Sequence, residues 1–326
     1  MVEATPLFAQ LDAVPDSLVG REVDGKYRVV ECIGRGGTAN VYRAVRLEGD
    51  HPVALKMLHA IDNGLLSIRG RRFAREAEVI ATLDHPNALP LYDFGLIGGF
   101  VPYLVTELLS SGWTLAERLA RGPLSALTTV RMLDQICDVL SAAHAMGIVH
   151  RDLKPENVHL ESLMPGSEDW VLVRVLDFGM ACWQMRGRLT MKGVLMGSPR
   201  YMAPEQALDR AVDGRTDLYS LGVIAYEALA GRPPFMAPTQ MAELVKHVSE
   251  ALRPLATIAP YVDRELADLV MWMLEKRASD RPQSTDDVRA VLARLEDRLD
   301  PETGDREHDT MSMEPVSVRR RAARVG

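Results

Sequence analysis

The chemistry of this chain is concentrated in residues 150–157, which read His-Arg-Asp-Leu-Lys-Pro-Glu-Asn, and in a later Asp-Phe-Gly triplet that begins at Asp177. Asp152 supplies a carboxylate that can accept or orient the proton of a substrate hydroxyl. Lys154 can neutralise charge on a phosphate in transfer, and Asn157 and Asp177 offer hard oxygen ligands for Mg²⁺. Taken alone, Asp152 would also suit a turn cap, but the full spacing indicates phosphoryl transfer to a hydroxyl group.

Phosphoryl transfer also needs a phosphate cradle, and residues 34–41 read Gly-Arg-Gly-Gly-Thr-Ala-Asn-Val between two strand-like runs. Glycines let the backbone approach a polyphosphate closely. The chain continues as a strand after this segment, so the helix that would complete a dinucleotide-binding fingerprint is absent. A plain tight hairpin has the same pattern, but the context favours a lid over nucleotide phosphates. Its candidate phosphate-binding residues are Gly34, Arg35, Gly36, Gly37 and Val41.

A lysine at the end of the next apolar strand is the candidate partner of the nucleotide phosphates. Lys56 follows Val-Ala-Leu and could equally be a snorkelling surface residue. As a phosphate ligand it needs an anion to hold it, and Glu76 lies on the apolar stripe of a helix predicted over residues 71–83. Glu78 is the alternative partner, but it lies off that stripe.

The adenine end of the nucleotide is expected at residues 106–109, Thr-Glu-Leu-Leu, where the last strand of the first part ends. The backbone groups of Glu107 and Leu109 could hydrogen-bond adenine, and Thr106 would be a small residue at the back of the pocket. Ala54 completes the expected nucleotide-binding set. An ordinary buried strand end is compatible with the same pattern.

The elements that position these residues change in type along the chain. Residues 27–58, 91–94 and 101–109 are predicted as antiparallel strands, whereas the pattern after Thr114 is mostly helical. The catalytic segment lies just beyond this change, so a cleft between two lobes is the natural ligand site. A second Asp-Phe-Gly triplet at residues 93–95 precedes the catalytic segment. It is therefore predicted as a strand end and turn rather than a metal ligand.

Composition divides the chain into four expected segments. Residues 1–26 are predicted as a flexible lead-in, 27–109 as the first lobe with a hinge at its end, 110–299 as the second lobe, and 300–326 as a disordered charged tail. The tail ends in a short basic cluster, which could dock an acidic partner or a membrane surface, although a merely solvated cluster looks the same.

Charge and cysteine usage limit the class of protein and its setting. The net charge of −7 over 326 residues gives no general basic face, which argues against nucleic acid as a partner. The 3 cysteines are widely spaced and fit a reducing cytoplasm better than a disulfide framework. No apolar run reaches about 18 residues and no signal peptide is evident, so we expect a cytoplasmic protein without a membrane span.

From about Tyr27 to Leu299 the sequence resembles the eukaryotic-type serine/threonine protein kinases, with nearly every motif of that family in order. Residues 18–27, 34–42 and 201–206 are most similar to the bacterial branch. The resemblance implies an α+β bilobal fold, with a five-stranded antiparallel sheet plus a helix followed by a mostly helical lobe. It also implies ATP as phosphate donor, Mg²⁺ as cofactor and protein serine or threonine hydroxyls as acceptors.

The same resemblance assigns further roles. Ser198 is expected to support the catalytic aspartate, and Glu205 to pair with Arg281. Asp217 is expected to cap the catalytic segment from a buried helix. A stack that lines up in the active state of such kinases is matched by Leu91, Ile80, Phe178 and His150.

Control by phosphorylation is suggested by Arg151, because a phosphate on the activation loop could neutralise this arginine and order the loop. Thr190 is the candidate acceptor, and an unmodified surface threonine is the alternative. The sequence departs from the family at Cys182, where many relatives have a second basic residue for that phosphate. Arg186 or Arg188 could replace it.

Another departure is His159, where the family usually has an aliphatic or aromatic residue under the adenine. A histidine could stack on adenine and make ATP affinity depend on pH. A neutral histidine that is merely packed is the alternative.

Rival functions remain to be weighed against an autophosphorylating protein kinase. A pseudokinase-like scaffold predicts loss of Lys56, Asp152 or Asp177, and all three are present. A small-molecule phosphotransferase would lack the Ala-Pro-Glu segment at residues 203–205. A homodimer formed during autophosphorylation is compatible with the resemblance, and the sequence does not decide it.

Overall fold

The fold is described from a computed structural model of the chain. It describes residues 18–37, 39–59, 66–98, 101–161, 172–178 and 199–300, with only the backbone of residues 66–72.

The first lobe is built on an antiparallel sheet of six strands in the order β1-β2-β3-β4-β6-β5. The sequence analysis predicted five, and the additional strand is the two-residue β1. The strands are β1 (Glu22–Val23), β2 (Tyr27–Arg35), β3 (Ala39–Arg46), β4 (His51–Leu58), β5 (Leu91–Ile97) and β6 (Val101–Glu107).

Residues 18–26 belong to the sheet instead of forming part of a flexible lead-in. Leu18 and Val23 are buried and pack, together with Tyr27, on the face of the sheet that carries Tyr42 and Leu55. An apolar sheet face exposed to water costs free energy in proportion to its area. The segment is therefore ordered because it covers this outer face.

The opposite face of the sheet packs on helix α1 (Leu66–Ala81). Phe73 and Ala77 are buried against Leu58 and Leu104, and Phe73 meets the ring of Phe94 edge-on at 6.3 Å between centroids. The helix begins and ends a few residues earlier than the predicted range of 71–83. Because these side chains are buried on this face, helix α1 lies on the side of the sheet that faces the cleft.

The early Asp-Phe-Gly triplet lies inside β5, and its prediction as a strand end and turn is wrong. Asp93 accepts hydrogen bonds from the hydroxyl of Tyr27 at 2.9 Å and from the ammonium of Lys26 at 3.0 Å. The glycine is required because a Cβ on Gly95 would lie 2.6 Å from the ring of Tyr103. The triplet thus has a packing role in the first lobe.

The second lobe is mostly helical, with a small antiparallel sheet in the order β7-β8-β9 beside the cleft. Its strands are β7 (Trp113–Thr114), β8 (Val158–Glu161) and β9 (Leu172–Val175). Its helices are α2 (Leu115–Leu119), α3 (Ala126–Ala145), α4 (Pro204–Ala207), α5 (Gly214–Ala230), α6 (Gln240–Ser249), α7 (Leu255–Ile258), α8 (Arg264–Met273) and α9 (Thr285–Leu299), with short 3₁₀ turns at Pro155–Asn157, Pro199–Tyr201 and Ala278–Asp280.

The core of this lobe is helix α5, which is apolar on all sides and buried along almost its whole length, as its sequence indicates. Helix α3 packs against it and ends at Ala145, two residues before Gly147, whose φ is +74°. Helix α9 begins with a capping box of Ser284 and Asp287. Across the described residues, we find no helix whose length and hydropathy would let it cross a membrane.

The predicted pair of Glu205 and Arg281 is confirmed as a buried, bidentate ion pair. Both guanidinium nitrogens donate to the two carboxylate oxygens at 2.8 Å, and the arginine side chain is inaccessible to solvent. Burial by itself would raise the pKa of Glu205, but the hydrogen bonds and charge of Arg281 outweigh it and lower that pKa. The pair joins helix α4 to the segment before helix α9.

Replacing Arg281 with Met should destabilise the fold by about 3–5 kcal/mol, because it leaves the carboxylate of Glu205 buried without its partner. Arg298, which lies between two carboxylates on an exposed face, provides the control, and Arg298→Met should cost far less because solvent screens exposed ion pairs. Urea unfolding measures both changes. Equal losses in the two variants would contradict the assigned role of the buried pair.

The same pair makes stability depend on pH. Since the pKa of Glu205 is lowered on folding, its ionisation stabilises the protein above the ordinary glutamate pKa of about 4.3 and ceases to do so as pH falls through the lower folded value. The difference in unfolding free energy between wild type and Glu205→Gln should therefore shrink below about pH 4.3. A difference that stays constant from pH 7 to pH 3 would contradict this.

Candidate active site

One face of the first sheet presents four of the predicted nucleotide-binding residues. Val41 is the cross-strand partner of Lys56, and Ala54 is the partner of Thr106. Cross-strand partners, and residues two apart on one strand, share a face of a sheet. The register therefore places these side chains together, next to the apolar cluster that packs on α1.

The glycine-rich segment forms the predicted hairpin between β2 and β3. Gly34 pairs with Val41 and Arg35 with Asn40, and the amide of Gly36 donates to the carbonyl of Ala39 at 2.9 Å. No helix follows, which agrees with the exclusion of a dinucleotide-binding fingerprint. Gly37 stands beside open space, so its backbone is accessible from outside the hairpin.

Lys56 joins the first lobe to the second. Its ammonium donates to Asp177 Oδ2 at 2.5 Å, and both side chains are mostly buried. Burial would raise the pKa of Asp177, but the charge and hydrogen bond of Lys56 outweigh it and lower that pKa. Asp177 is thereby kept ionised. Glu76 is half-buried on α1, and its predicted pairing with Lys56 stays a prediction.

The catalytic segment holds Asp152 by one of its two carboxylate oxygens. Lys154 Nζ donates to Asp152 Oδ2 at 2.7 Å, and Asn157 Nδ2 donates to the same oxygen at 3.3 Å. Asn157 Nδ2 also donates to the backbone carbonyl of Asp152 at 2.8 Å. These bonds orient the carboxylate through Oδ2, and none of them uses Oδ1.

The donor set fits Mg²⁺ that is shared with a phosphate substrate. Because the amide nitrogen of Asn157 is used on Asp152, its amide oxygen is the atom left to face a cation, and Asp177 adds an ionised carboxylate. In the part of the chain that the structure describes, no group of three or more His, Cys, Asp or Glu side chains could hold a metal ion. Mg²⁺ usually binds one or two such ligands and completes its shell with phosphate oxygens and water.

Asp217 caps the catalytic segment, as predicted. Its carboxylate is fully buried on helix α5 and accepts from the amides of His150 at 2.9 Å and Arg151 at 2.8 Å. The structure adds a third partner that the sequence analysis missed, since His144 Nε2 lies 2.8 Å from Asp217 Oδ2. The sequence offered no signal for His144, because 73 residues separate the two side chains.

Two residues of the site have left-handed backbone conformations. Arg151 has a φ of +65° and Asp177 a φ of +61°. Such conformations cost about 1–3 kcal/mol each in residues other than glycine and persist where the surroundings enforce them. For Arg151 the enforcing contacts are its amide bond to Asp217 and a hydrogen bond from Gln206 to its carbonyl at 2.8 Å.

The expected stack spans the boundary between the lobes. The rings of His150 and Phe178 are 5.0 Å apart between centroids, and His150 Nε2 donates to the carbonyl of Leu176 at 2.7 Å. Ile80 and Leu91 line a narrow cavity together with Phe178. Three of the four residues therefore border one cavity, and the fourth, His150, contacts Phe178.

At the adenine end, Thr106 Oγ1 donates to the carbonyl of Glu107 at 3.3 Å, and Leu109 follows the strand end. His159 lies on β8 and is buried, and its Nε2 bonds to the carbonyl of Ser111 at 2.7 Å. This favours the packed alternative for His159, and its contact with adenine stays a prediction. The predicted regulatory residues Thr190 and Ser198 lie outside the described residues.

Comparison with known proteins agrees with this geometry. Residues 27–291 match the family model described as the protein kinase domain. The chain is 39% identical over 284 residues to serine/threonine-protein kinase pkn2 of Myxococcus xanthus, covering 86% of this chain and 33% of that protein. It is 32% identical over 279 residues to serine/threonine-protein kinase PrkC of Bacillus subtilis, covering 84% of this chain and 41% of that protein.

The fold is also similar to that of the Mycobacterium tuberculosis PknI kinase domain, with a TM-score of 0.64 at 24% identity over 84% of this chain and 97% of that structure. The chain spans between a third and a half of the length of the curated relatives it matches. With the motifs, the fold and these relatives in agreement, the chain belongs to the protein kinase family, in the bacterial branch of the eukaryotic-type serine/threonine kinases.

Proposed function

We propose that this chain is an active protein serine/threonine kinase that transfers the γ-phosphate of ATP to hydroxyl groups of proteins. The observation that carries the proposal is the convergence, across one cleft, of the Lys56–Asp177 pair and the Asp152–Lys154–Asn157 set. Together the two sets supply the cationic and carboxylate side chains that phosphoryl transfer requires.

Asp152 is the group proposed to receive the substrate hydroxyl. Its Oδ2 is fixed by Lys154 and Asn157, and its Oδ1 is proposed to accept the hydroxyl proton and to aim the oxygen at the phosphate. Lys154, held 2.7 Å from the same carboxylate, places a positive charge beside the path of the transferring phosphate. The arrangement works mainly by orientation and electrostatic stabilisation.

The nucleotide is proposed to lie under the glycine hairpin. Lys56 would hold its phosphates, and the backbone of Glu107 and Leu109 would hold adenine. Asn157 and Asp177 would hold Mg²⁺, which, when bound, neutralises charge on the phosphate oxygens. A pseudokinase-like scaffold is disfavoured because Lys56, Asp152 and Asp177, whose loss it predicts, are all present. Lys56 and Asp177 are also paired.

Regulation is proposed to act through the activation loop. Phosphate on Thr190 would bring about −1.5 to −2 charges to Arg151, whose backbone is already fixed by Asp217. Ser198 is proposed to support Asp152 from the end of the same loop. Transfer between two copies of the chain would supply the first phosphate.

Substrate preference is proposed to depend on two acidic residues near the catalytic segment. Glu227 accepts from the hydroxyl of Tyr201 at 2.6 Å, and both burial and the negative charge of Glu156 raise its pKa. Glu156 is exposed. A cationic side chain between the two carboxylates would relieve their repulsion, which favours basic residues before the acceptor.

Asp152→Asn should reduce autophosphorylation and phosphorylation of a generic protein substrate by roughly 10²–10⁴-fold, because an amide cannot take up the hydroxyl proton. Mass spectrometry of wild type incubated with Mg·ATP should locate phosphate at Thr190, and this phosphate should be missing in the variant. Asp286→Asn, an exposed aspartate on α9, is the matched control and should behave as wild type. Equal activity of Asp152→Asn and wild type would refute the proposed function.

Asp217→Asn should lower kcat by up to roughly 10²-fold, because an amide group placed among the N–H donors of the catalytic segment displaces Asp152. Asp213 caps the same helix on its exposed side, and Asp213→Asn keeps that cap. The control should retain kcat. A steady-state kinetic comparison decides this, and similar kcat values for both variants would rule out control of Asp152 by Asp217.

Replacing both Glu156 and Glu227 with Gln should lower kcat/KM roughly 3- to 10-fold for a peptide with arginine before the acceptor, which corresponds to the loss of a charged hydrogen bond or two. A peptide with alanine in place of that arginine should be phosphorylated equally well by both enzymes. If the two peptides respond alike, the acidic pair does not select the substrate.

A further inference from the structure

The segment that joins the two sheets across the cleft has little backbone support of its own. Strand β6 ends at Glu107 and β7 begins at Trp113, and we call residues 108–112 the linker. Among the loop and turn backbone hydrogen bonds of the described residues, none involves this linker. Side chains from elsewhere therefore contribute to holding it in place.

The start of the linker is held by Arg174 on β9. Its Nη1 lies 3.3 Å from Glu107 Oε2, and its Nε donates to Glu161 Oε2 at 2.8 Å. The arginine side chain is only 17% exposed. The planar fork of a guanidinium suits it to hold two carboxylates at once. Glu107 is thereby tied to the second lobe at the point where β6 ends.

The end of the linker is held by His159 on β8. Its Nε2 lies 2.7 Å from the carbonyl oxygen of Ser111, and a carbonyl only accepts, so Nε2 carries the proton and donates. Next to it, Gly112 has a φ of +106°, and a Cβ there would lie 2.3 Å from the carbonyl oxygen of Leu160. The linker is therefore pressed against β8 at this end.

The two holding residues are cross-strand partners. His159 pairs with Arg174 in the register of β8 and β9, so their side chains project from the same face of the small sheet. One side chain holds the residue just before the linker, and the other holds its fourth residue. A rigid two-stranded element thus holds the linker at both ends.

We propose that His159 and Arg174 are positioning residues for nucleotide binding. They hold the linker so that the backbone groups of Glu107 and Leu109 face the adenine ring, and neither has to touch the nucleotide. The inference rests on the proposed function insofar as adenine binds at this linker. In this inference His159 acts through its hydrogen bond to the carbonyl of Ser111 and does not stack on adenine.

The test is binding of adenosine and of Mg·ATP, measured by calorimetry on the full chain, together with steady-state kinetics. His159→Leu and Arg174→Met each remove one hold. Each variant should lower the affinity for adenosine and the affinity for ATP by the same factor, roughly 3- to 10-fold. KM for ATP should rise by that factor while kcat stays within about twofold, because only binding of the adenine is affected.

Conservative and control variants separate positioning from general stability. His159→Gln retains an N–H donor near the position of Nε2 and should recover wild-type affinity, and Arg174→Lys should recover part of it. Arg298→Met removes another arginine that lies between two carboxylates, far from the linker, and should leave both affinities unchanged. If His159→Leu does not fold, as judged by thermal unfolding, Arg174→Met and His159→Gln decide the question.

Binding also separates this inference from the proposed function. Lys56→Met should lower the affinity for ATP but leave the affinity for adenosine unchanged, since adenosine has no phosphates. If wild type binds both ligands and the pattern above holds, the inference is supported even where no phosphate is transferred. Wild-type affinity for adenosine in His159→Leu and Arg174→Met would overturn it, as would a wild type that binds neither ligand.

Discussion

The buried carboxylate of Asp217 is the constraint on which the rest of the site depends. It lies on the central helix of the second lobe and accepts hydrogen bonds from the amides of His150 and Arg151. A buried charge is tolerated only when it is well paired, so the catalytic segment has one conformation that satisfies it. That conformation places Arg151 in left-handed backbone geometry and Asp152 in the cleft. The position of the catalytic carboxylate is therefore set by the core of the lobe.

The two lobes are joined around this core at points that serve different ends of the nucleotide site. On the phosphate side, Lys56 bonds to Asp177. Behind the cleft, Asn87 precedes β5 and donates to Gln135 at 2.9 Å and to the carbonyl of Val173 at 2.7 Å. This attaches the end of helix α1 to the second lobe.

Much of the fold and site followed from local patterns. The mostly helical second lobe and the ion pair of Glu205 and Arg281 are as predicted. The sixth strand was missed because two residues have no periodicity to detect. Asp93 was misplaced because a glycine in a strand resembles a turn, and only the ring of Tyr103 opposite Gly95 explains it.

The sequence by itself indicated the proposed chemistry, because the types and spacings of Lys56, Asp152, Asn157 and Asp177 are typical of phosphoryl transfer, and the hydrophobic periods indicate two unlike lobes. Only the tertiary structure decided how these residues are held. The bonds of His144 to Asp217, and of His159 to Ser111, join residues far apart in the chain. Such pairs leave no trace in local spacing, since they form only when packing brings distant segments into contact.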